Sequence, residues 1–262
     1  MKIETHLNFI IQFFLRDIKN RYSNSFLGLS WSIISPLVMI GLYSIIFSNV
    51  LNLKLGIDDN KFNYVNYLCI GIITWNLLSE FINRTLNIFR ENTNIIKKLN
   101  FFKIHLLLSS MLSSLFNFLV IFIIFFFYLI VSSKLNFSFN FAFFLLVLFA
   151  QIIFVFSLGL FLASINIYIP DTEHFFKIFL QIWFWISPIV YPISIIPDFL
   201  KIIFMFNPFY YFLEYYHEIF VYKNVTHIFT YNFLFLYFFN IVFLILSILF
   251  YSKIKKNIVD EL

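Results

Sequence analysis

Long apolar runs separated by short polar joints make up this chain, and the spacing inside each run indicates what it forms. Near the N-terminus, Leu7, Ile10, Ile11, Phe14, Leu15 and Ile18 recur at helical intervals, Phe9 and Phe13 widen that face, and Asn8, Gln12, Arg16 and Lys19 take the other side. Such a segment is too polar to cross a bilayer and too apolar to leave it. It predicts an amphipathic helix over residues 7–19 lying in the membrane interface. From Trp31 onward the apolar stretches 31–51, 64–86, 104–131, 141–167, 175–191 and 230–251 predict transmembrane helices, since about 20 helical residues cross roughly 30 Å of hydrocarbon. Before the last of them, 193–206 and 209–222 are apolar pieces divided by Asn207-Pro208. Each is too short to span alone, so residues 193–222 predict a re-entrant pair of half-helices.

The fold class is therefore an all-α integral membrane protein, a single transmembrane domain over residues 1–262. Composition supports this: with 61% hydrophobic and 12% charged residues and a mean hydropathy of +0.90, a water-soluble fold would expose far too much apolar surface. A net charge of +5 raises the question of nucleic acid, but the basic residues are scattered among spans and gather on no soluble face. The single cysteine, Cys69, lies in an apolar run and indicates neither a disulfide framework nor a metal site. Asn8 and Gln12 interrupt the first apolar stretch, and no small-residue cleavage site follows it, so no signal peptide is expected.

Charge sets the direction. With both termini cytoplasmic, Lys54, Lys61, Lys134, Lys201 and Lys223 fall outside and the rest of the 18 Lys and Arg fall inside, which satisfies the positive-inside rule. The most polar internal segment, Arg84 to Lys103, is then cytoplasmic, and so is the turn at Pro170-Asp171, where Asp171 offers an N-cap to the next helix. Glu80 and Arg84 stand four apart and can face each other on one helix side, which predicts a structural ion pair, with a transport role as the alternative. Ser109, Ser110, Ser113, Ser114 and Asn117 need polar partners within a span, and two readings stay open: contact with another helix, or a polar path. Gly159, Ala163 and Ser164 permit close helix contact. Glu214, His217 and Glu218 share one face of a half-helix and invite a zinc reading, but no second set of ligands accompanies them.

Two absences narrow the function. No Gly-x-x-x-x-Gly-Lys-Ser/Thr loop occurs, so ATP is not bound here by that route, and no catalytic triad or metal constellation is recognisable. A conduit or a scaffold remains. The pattern Arg16-Asp17-Ile18-Lys19-x-Arg21-Tyr22-x-x-Ser25-x-Leu27-Gly28-x-x-Trp31-x-x-x-x-Pro36 resembles the opening segment of permease subunits of type-2 ABC exporters of polysaccharides such as O-antigen, capsule or teichoic acid. Asn92-Thr93-Asn94-Ile95-Ile96-Lys97-Lys98 resembles that family's cytoplasmic loop, although Phe102 and Leu107 stand where the family commonly has prolines. Gln181 to Pro192 resembles its fifth span, and Asn207-Pro208 the turn of its outer hairpin.

The resemblance implies a homodimeric permease of the bacterial cytoplasmic (inner) membrane, with two copies of an ABC ATPase subunit docked on its cytoplasmic side and a lipid-linked glycan as cargo. It implies that ATP is hydrolysed on the partner chain, with no cofactor, catalytic residue or metal on this one. Arg16, Lys19 and Arg21 become candidates for admitting an anionic carrier head, and Asn92, Asn94, Lys97, Lys98 and Asp171 candidates for docking the ATPase. A small-molecule or drug exporter of the wider type-2 family is an alternative. So is an integral membrane glycan-modifying enzyme, which would be expected to carry a sizeable external loop or more charges inside its spans.

Overall fold

A computed structural model describes residues 2–21, 26, 28–46, 61–98, 101–131, 140–222, 231–255 and 258–261, all helix or short turn. In chain order the helices are α1 (Lys2–Arg21), α2 (Trp31–Ser44), α3 (Lys61–Leu86), α4 (Ile88–Glu91), α5 (Thr93–Lys98) and α6 (Ile104–Val131). There follow α7 (Asn140–Tyr168), α8 (Thr172–Ile186), α9 (Asp198–Met205), α10 (Pro208–His217), α11 (Tyr231–Ile254) and α12 (Ile258–Glu261). The stretches 64–86, 104–131, 142–168 and 233–254, within α3, α6, α7 and α11, are each long and apolar enough to cross a membrane. Two further expected spans coincide with shorter described helices: α2, 14 residues long, at 31–51, where residues 47–51 lie outside the described residues, and α8, 15 residues long, at 175–191. At 1.5 Å per residue α8 alone does not reach through the hydrocarbon. The expected loops at Asn52 to Asn63 and Ser132 to Asn140 lie largely outside the described residues.

Helix α3 carries the most polar sequence of the four long helices and takes the centre. Leu68, Ile70, Ile73, Leu77, Leu78, Phe81 and Ile82 are buried beneath α2, α6, α7, α8 and α10, all of which pack on it. The reason is solvation: a helix with carboxylate, guanidinium and amide groups costs least in a bilayer when other helices cover it. Helix α11 is the converse. Leu234, Phe235, Phe238, Ile241, Ile245 and Leu249 are exposed along it, and its other side packs on α7.

Close approach is decided by small residues. A Cβ on Gly159 of α7 would fall 2.4 Å from Phe81 Cε1 and 2.9 Å from Thr85 Oγ1, so only glycine lets α7 lie this near α3. Polar side chains then bind across the contact. Gln151 donates to the Thr74 carbonyl at 2.8 Å and accepts from the Tyr216 hydroxyl at 2.7 Å, tying α3, α7 and α10 together.

Helix α8 stops at Ile186, two residues before Pro188, because the residue before a proline is pushed out of helical geometry. The carbonyls released there are met by α3: Tyr67 donates to Pro188 O at 2.7 Å and Tyr64 to Val190 O at 2.7 Å. Asn207, the expected turn residue, caps α10 through Phe209 N at 3.0 Å, accepts from Trp183 Nε1 at 2.7 Å and donates to Ser187 Oγ at 2.8 Å. One side chain thus joins the break after α8 to the α9–α10 hairpin. His217 is buried and stacked on Tyr67 at 3.6 Å between ring centroids. Its Nε2 lies 3.3 Å from the Tyr67 carbonyl oxygen.

Candidate functional site

Helices α1, α2, α3 and α8 surround an open groove of about 1290 Å³. Each wall is one helical stripe. Trp31, Ser35, Met39 and Tyr43 come from α2 at steps of four; Ile72, Trp75, Asn76, Ser79, Glu80, Asn83 and Arg84 come from α3; Lys177, Leu180, Gln181, Phe184 and Trp185 come from α8. The stripes are graded along their length. The α3 stripe runs from Trp75 to Glu80 and Arg84, and the α8 stripe from Trp185 and Phe184 back to Lys177. Trp75 meets Phe184 edge to face at 5.7 Å, and Tyr43 stacks against Phe184 at 6.0 Å. One end of the groove is therefore aromatic and the other charged.

The charged end is a network across three helices. Arg84 donates through Nε to Glu80 Oε1 at 3.0 Å and through its terminal nitrogen to Asp17 of α1. Asn117 of α6 donates to the same Glu80 oxygen at 2.5 Å. The expected Glu80–Arg84 pair is present, with both side chains 17% exposed, and the sequence held no sign of its third member: Asp17 is one acid among the polar residues of an interface helix. Its place follows from register, since Asp17 and Asn20 lie on the α1 face turned to the groove.

Arg16 and Lys19 are exposed and are not groove-lining residues. The Arg16 guanidinium lies over the Phe13 ring at 4.2 Å and donates to Asn92 Oδ1 at 3.2 Å. Arg21 closes α1. Two residues from separate expectations, Arg16 and Asn92, are thereby brought together, and the cations that line the groove are Arg84 and Lys177.

Around Asn92 the chain forms a compact layer. Arg90 donates to the Asn166 and Ile167 carbonyls at 3.0 and 2.9 Å, satisfying the C-terminal end of α7 where a cation is also favoured by the helix dipole. Asn166 donates in return to Leu86 O at 2.7 Å. Ile88, Phe89, Ile96, Leu106, Leu107, Leu160, Ala163, Ile167 and Ile258 make a second apolar core, so α12 is packed into this layer. Asn94, Lys97 and Lys98 remain exposed on α5, as does Asp171 before α8. Asp171 does not cap α8: its backbone is already helical and its side chain makes no cap bond. Partial burial, then the nearby carboxylates of Glu173 and Asp17, push the Glu91 carboxyl above its usual range. Hydrogen bonds from Lys177 and Asn87 hold Glu173 below it.

The sequence profile of the ABC-2 type transporter family matches residues 9–221, from α1 to the end of the α10 segment. The chain belongs to that family. The groove, its ionic end and helices α4 and α5 fall inside the matched region, whereas α12 lies beyond it. A Klebsiella pneumoniae protein named O-antigen export system permease protein RfbA is 27% identical over 196 residues, covering 74% of this chain and 72% of that protein. A Myxococcus xanthus protein of the same name is 25% identical over 195 residues, covering 72% and 70%. This is accordingly a membrane chain of an ABC-2 transporter, all-helical, with several apolar helices long enough to span a bilayer.

Proposed function

We propose that this chain is the permease subunit of an ABC exporter that carries a lipid-linked polysaccharide of the O-antigen, capsule or teichoic acid type across the bacterial cytoplasmic membrane. The carrying observation is the graded groove, in a chain of the ABC-2 family with relatives named for O-antigen export. Tryptophan and tyrosine faces suit sugar rings, which present apolar C–H surfaces between their hydroxyls. Asn76, Ser79, Asn83 and Gln181 supply hydroxyl and amide partners between the aromatic and ionic ends.

In this reading the transporter is a homodimer with two ATPase subunits bound at the α4–α5 layer and the turn at Asp171. Both termini are cytoplasmic, α2 and α8 belong to the first and fifth of six spans, and α9–α10 is a re-entrant hairpin. Arg16, Lys19 and Arg21 meet anionic lipid heads at the surface and hand the carrier to the groove.

The test is reconstitution. The tagged chain, purified from native membrane, should recover a soluble ABC ATPase, and vesicles holding both should move a lipid-linked oligosaccharide outward only with ATP. Recovery of the ATPase with outward movement of an amphiphilic drug, and none of the glycan, would support a small-molecule exporter instead; reproducible absence of any ATPase would favour an enzyme or scaffold. Topology is checked separately in a Cys69→Ser background. An impermeant thiol reagent on intact cells should label a cysteine replacing Asn60 and spare one replacing Asn94.

A further inference from the structure

Arg84 is gripped by two carboxylates that are not equivalent. Glu80 lies one helical turn away on the same helix, is 17% exposed and is also held by Asn117, so it is part of the scaffold. Asp17 is 40% exposed and comes from a different helix, α1, which otherwise packs on α6 through aromatic contacts such as Phe14 with Phe116 at 6.1 Å. Asp17 and Arg84 both line the groove, and Lys177, itself 49% exposed, stands on the facing wall. The next residue back, Arg16, lies about 100° round the helix and holds Asn92 beside the α4–α5 layer.

We propose that Asp17 is a built-in stand-in for the anionic head of the cargo, and that exchange of Asp17 for that head on Arg84 loosens α1 and, through Arg16, reports cargo to the α4–α5 layer. This rests on the export reading above and adds to it the site of the anion and the route of its signal. The chemistry is that of a phosphate-type group. The terminal nitrogen of Arg84 that holds Asp17 belongs to a planar donor fork suited to phosphate oxygens, Lys177, paired with Glu173, stands near as a second cation, and a head of two negative charges outcompetes the single carboxylate of Asp17 at Arg84. Glu80 stays on Arg84 when Asp17 leaves, so the partly buried guanidinium is paired throughout the exchange. The direction is thermodynamic: a ligand biases α1 only if it interacts differently with the docked and released states, and direct competition with Asp17 supplies that difference.

The experiment uses permease and ATPase together in phosphatidylcholine vesicles, with a diphosphate-linked oligosaccharide lipid as probe, and phosphatidylglycerol or soluble pyrophosphate as comparison anions. In the wild type the oligosaccharide lipid should raise ATP hydrolysis several-fold. Asp17→Asn should raise hydrolysis without the probe toward the stimulated rate and lower the probe concentration for half-stimulation about tenfold, equivalent to about 1.4 kcal/mol. Arg84→Lys should raise that concentration while expression is kept. Cysteines replacing Phe14 and Phe116, oxidised to a disulfide, should hold α1 on α6 and abolish stimulation with unstimulated hydrolysis unchanged; reductant should restore it.

Stimulation and half-stimulation unchanged in Asp17→Asn, or full stimulation with α1 clamped, overturns the exchange while leaving export intact. Equal stimulation by phosphatidylglycerol or by pyrophosphate overturns the cargo head as the anion. Wild-type vesicles that neither move nor respond to the oligosaccharide lipid count against the export reading itself.

Discussion

Asp17 on the interface helix forms an ion pair with Arg84 on the central helix, 67 positions along the chain. The same guanidinium serves Glu80, so its loss takes the cation from two carboxylates, one of them mostly buried. Arg84→Gln should lower the melting temperature of the detergent-purified protein, corresponding to about 2–4 kcal/mol of stability. Glu80→Gln with Arg84→Gln should recover part of that loss. Additive losses in the double variant would show that the pair is not coupled.

At Gly159 the helices touch. An alanine there places its Cβ 2.4 Å from the Phe81 ring, so α7 and α3 must separate. The expected cost is about 1–3 kcal/mol, in the range of overpacked cores, and Phe81→Leu in the same chain should relieve it. Thermal unfolding of the single and double variants decides the matter.

Arg90→Ala removes two bonds to carbonyls at the end of α7. Bonds to charged donors contribute about 1.5–3 kcal/mol each when well formed, but this side chain belongs to an exposed residue, so the lower end is expected. Hydrogen exchange should quicken in the last turn of α7 and across α4–α5, with the α9–α10 hairpin unaffected. Uniform exchange throughout would argue for global destabilisation instead.

Asn207→Ala leaves the Trp183 indole N–H without its acceptor and α10 without its cap. A lost cap costs about 0.5–2 kcal/mol, and the unpaired buried N–H adds to it. Trp183 fluorescence, read in a chain with the other three tryptophans replaced by phenylalanine, should shift as the ring moves. An unchanged spectrum and melting temperature would remove Asn207 from the junction.

Glu91 tests the sign of an electrostatic effect. Its carboxyl is pushed above the usual range, so its charged form is disfavoured by the fold, and a raised pKa costs stability at neutral pH that is regained as pH falls through the folded value toward the unfolded one. Glu91→Gln should therefore melt slightly higher than wild type at pH 8, the difference closing toward pH 4. A variant less stable at pH 8 would show that Glu91 gains more from its neighbours than it loses.

Local chemistry determined a large share of this protein without reference to any contact. Runs such as Ile104 to Val131 and Tyr231 to Ile254 are helices because an apolar stretch of that length in a bilayer must satisfy its own backbone. Pro188 stops α8 by backbone geometry, Asn207 starts α10 by capping it with its own side chain, and Glu80 with Arg84 pairs because four residues make about one turn. Those relations span a few residues, so residue order suffices to read them.

Only the tertiary structure decided which faces meet. Of the apolar side read on α1, Leu7, Ile11 and Leu15 are exposed, while Phe9 approaches Phe101 to 4.6 Å, and from the polar residues Asp17 grips Arg84. Adjacent residues of α1 serve different ends, Arg16 the α4–α5 layer and Asp17 the groove, because they lie about 100° apart on a helix wedged between the two. Likewise no local signal assigns Gln151 to Thr74 and Tyr216, or Arg90 to the carbonyls of α7. In hydrocarbon almost every helix face is apolar, so burial no longer distinguishes inside from outside. The choice passes to a handful of polar groups that must find one another and to small residues, such as Gly159, that let them come close enough to do so.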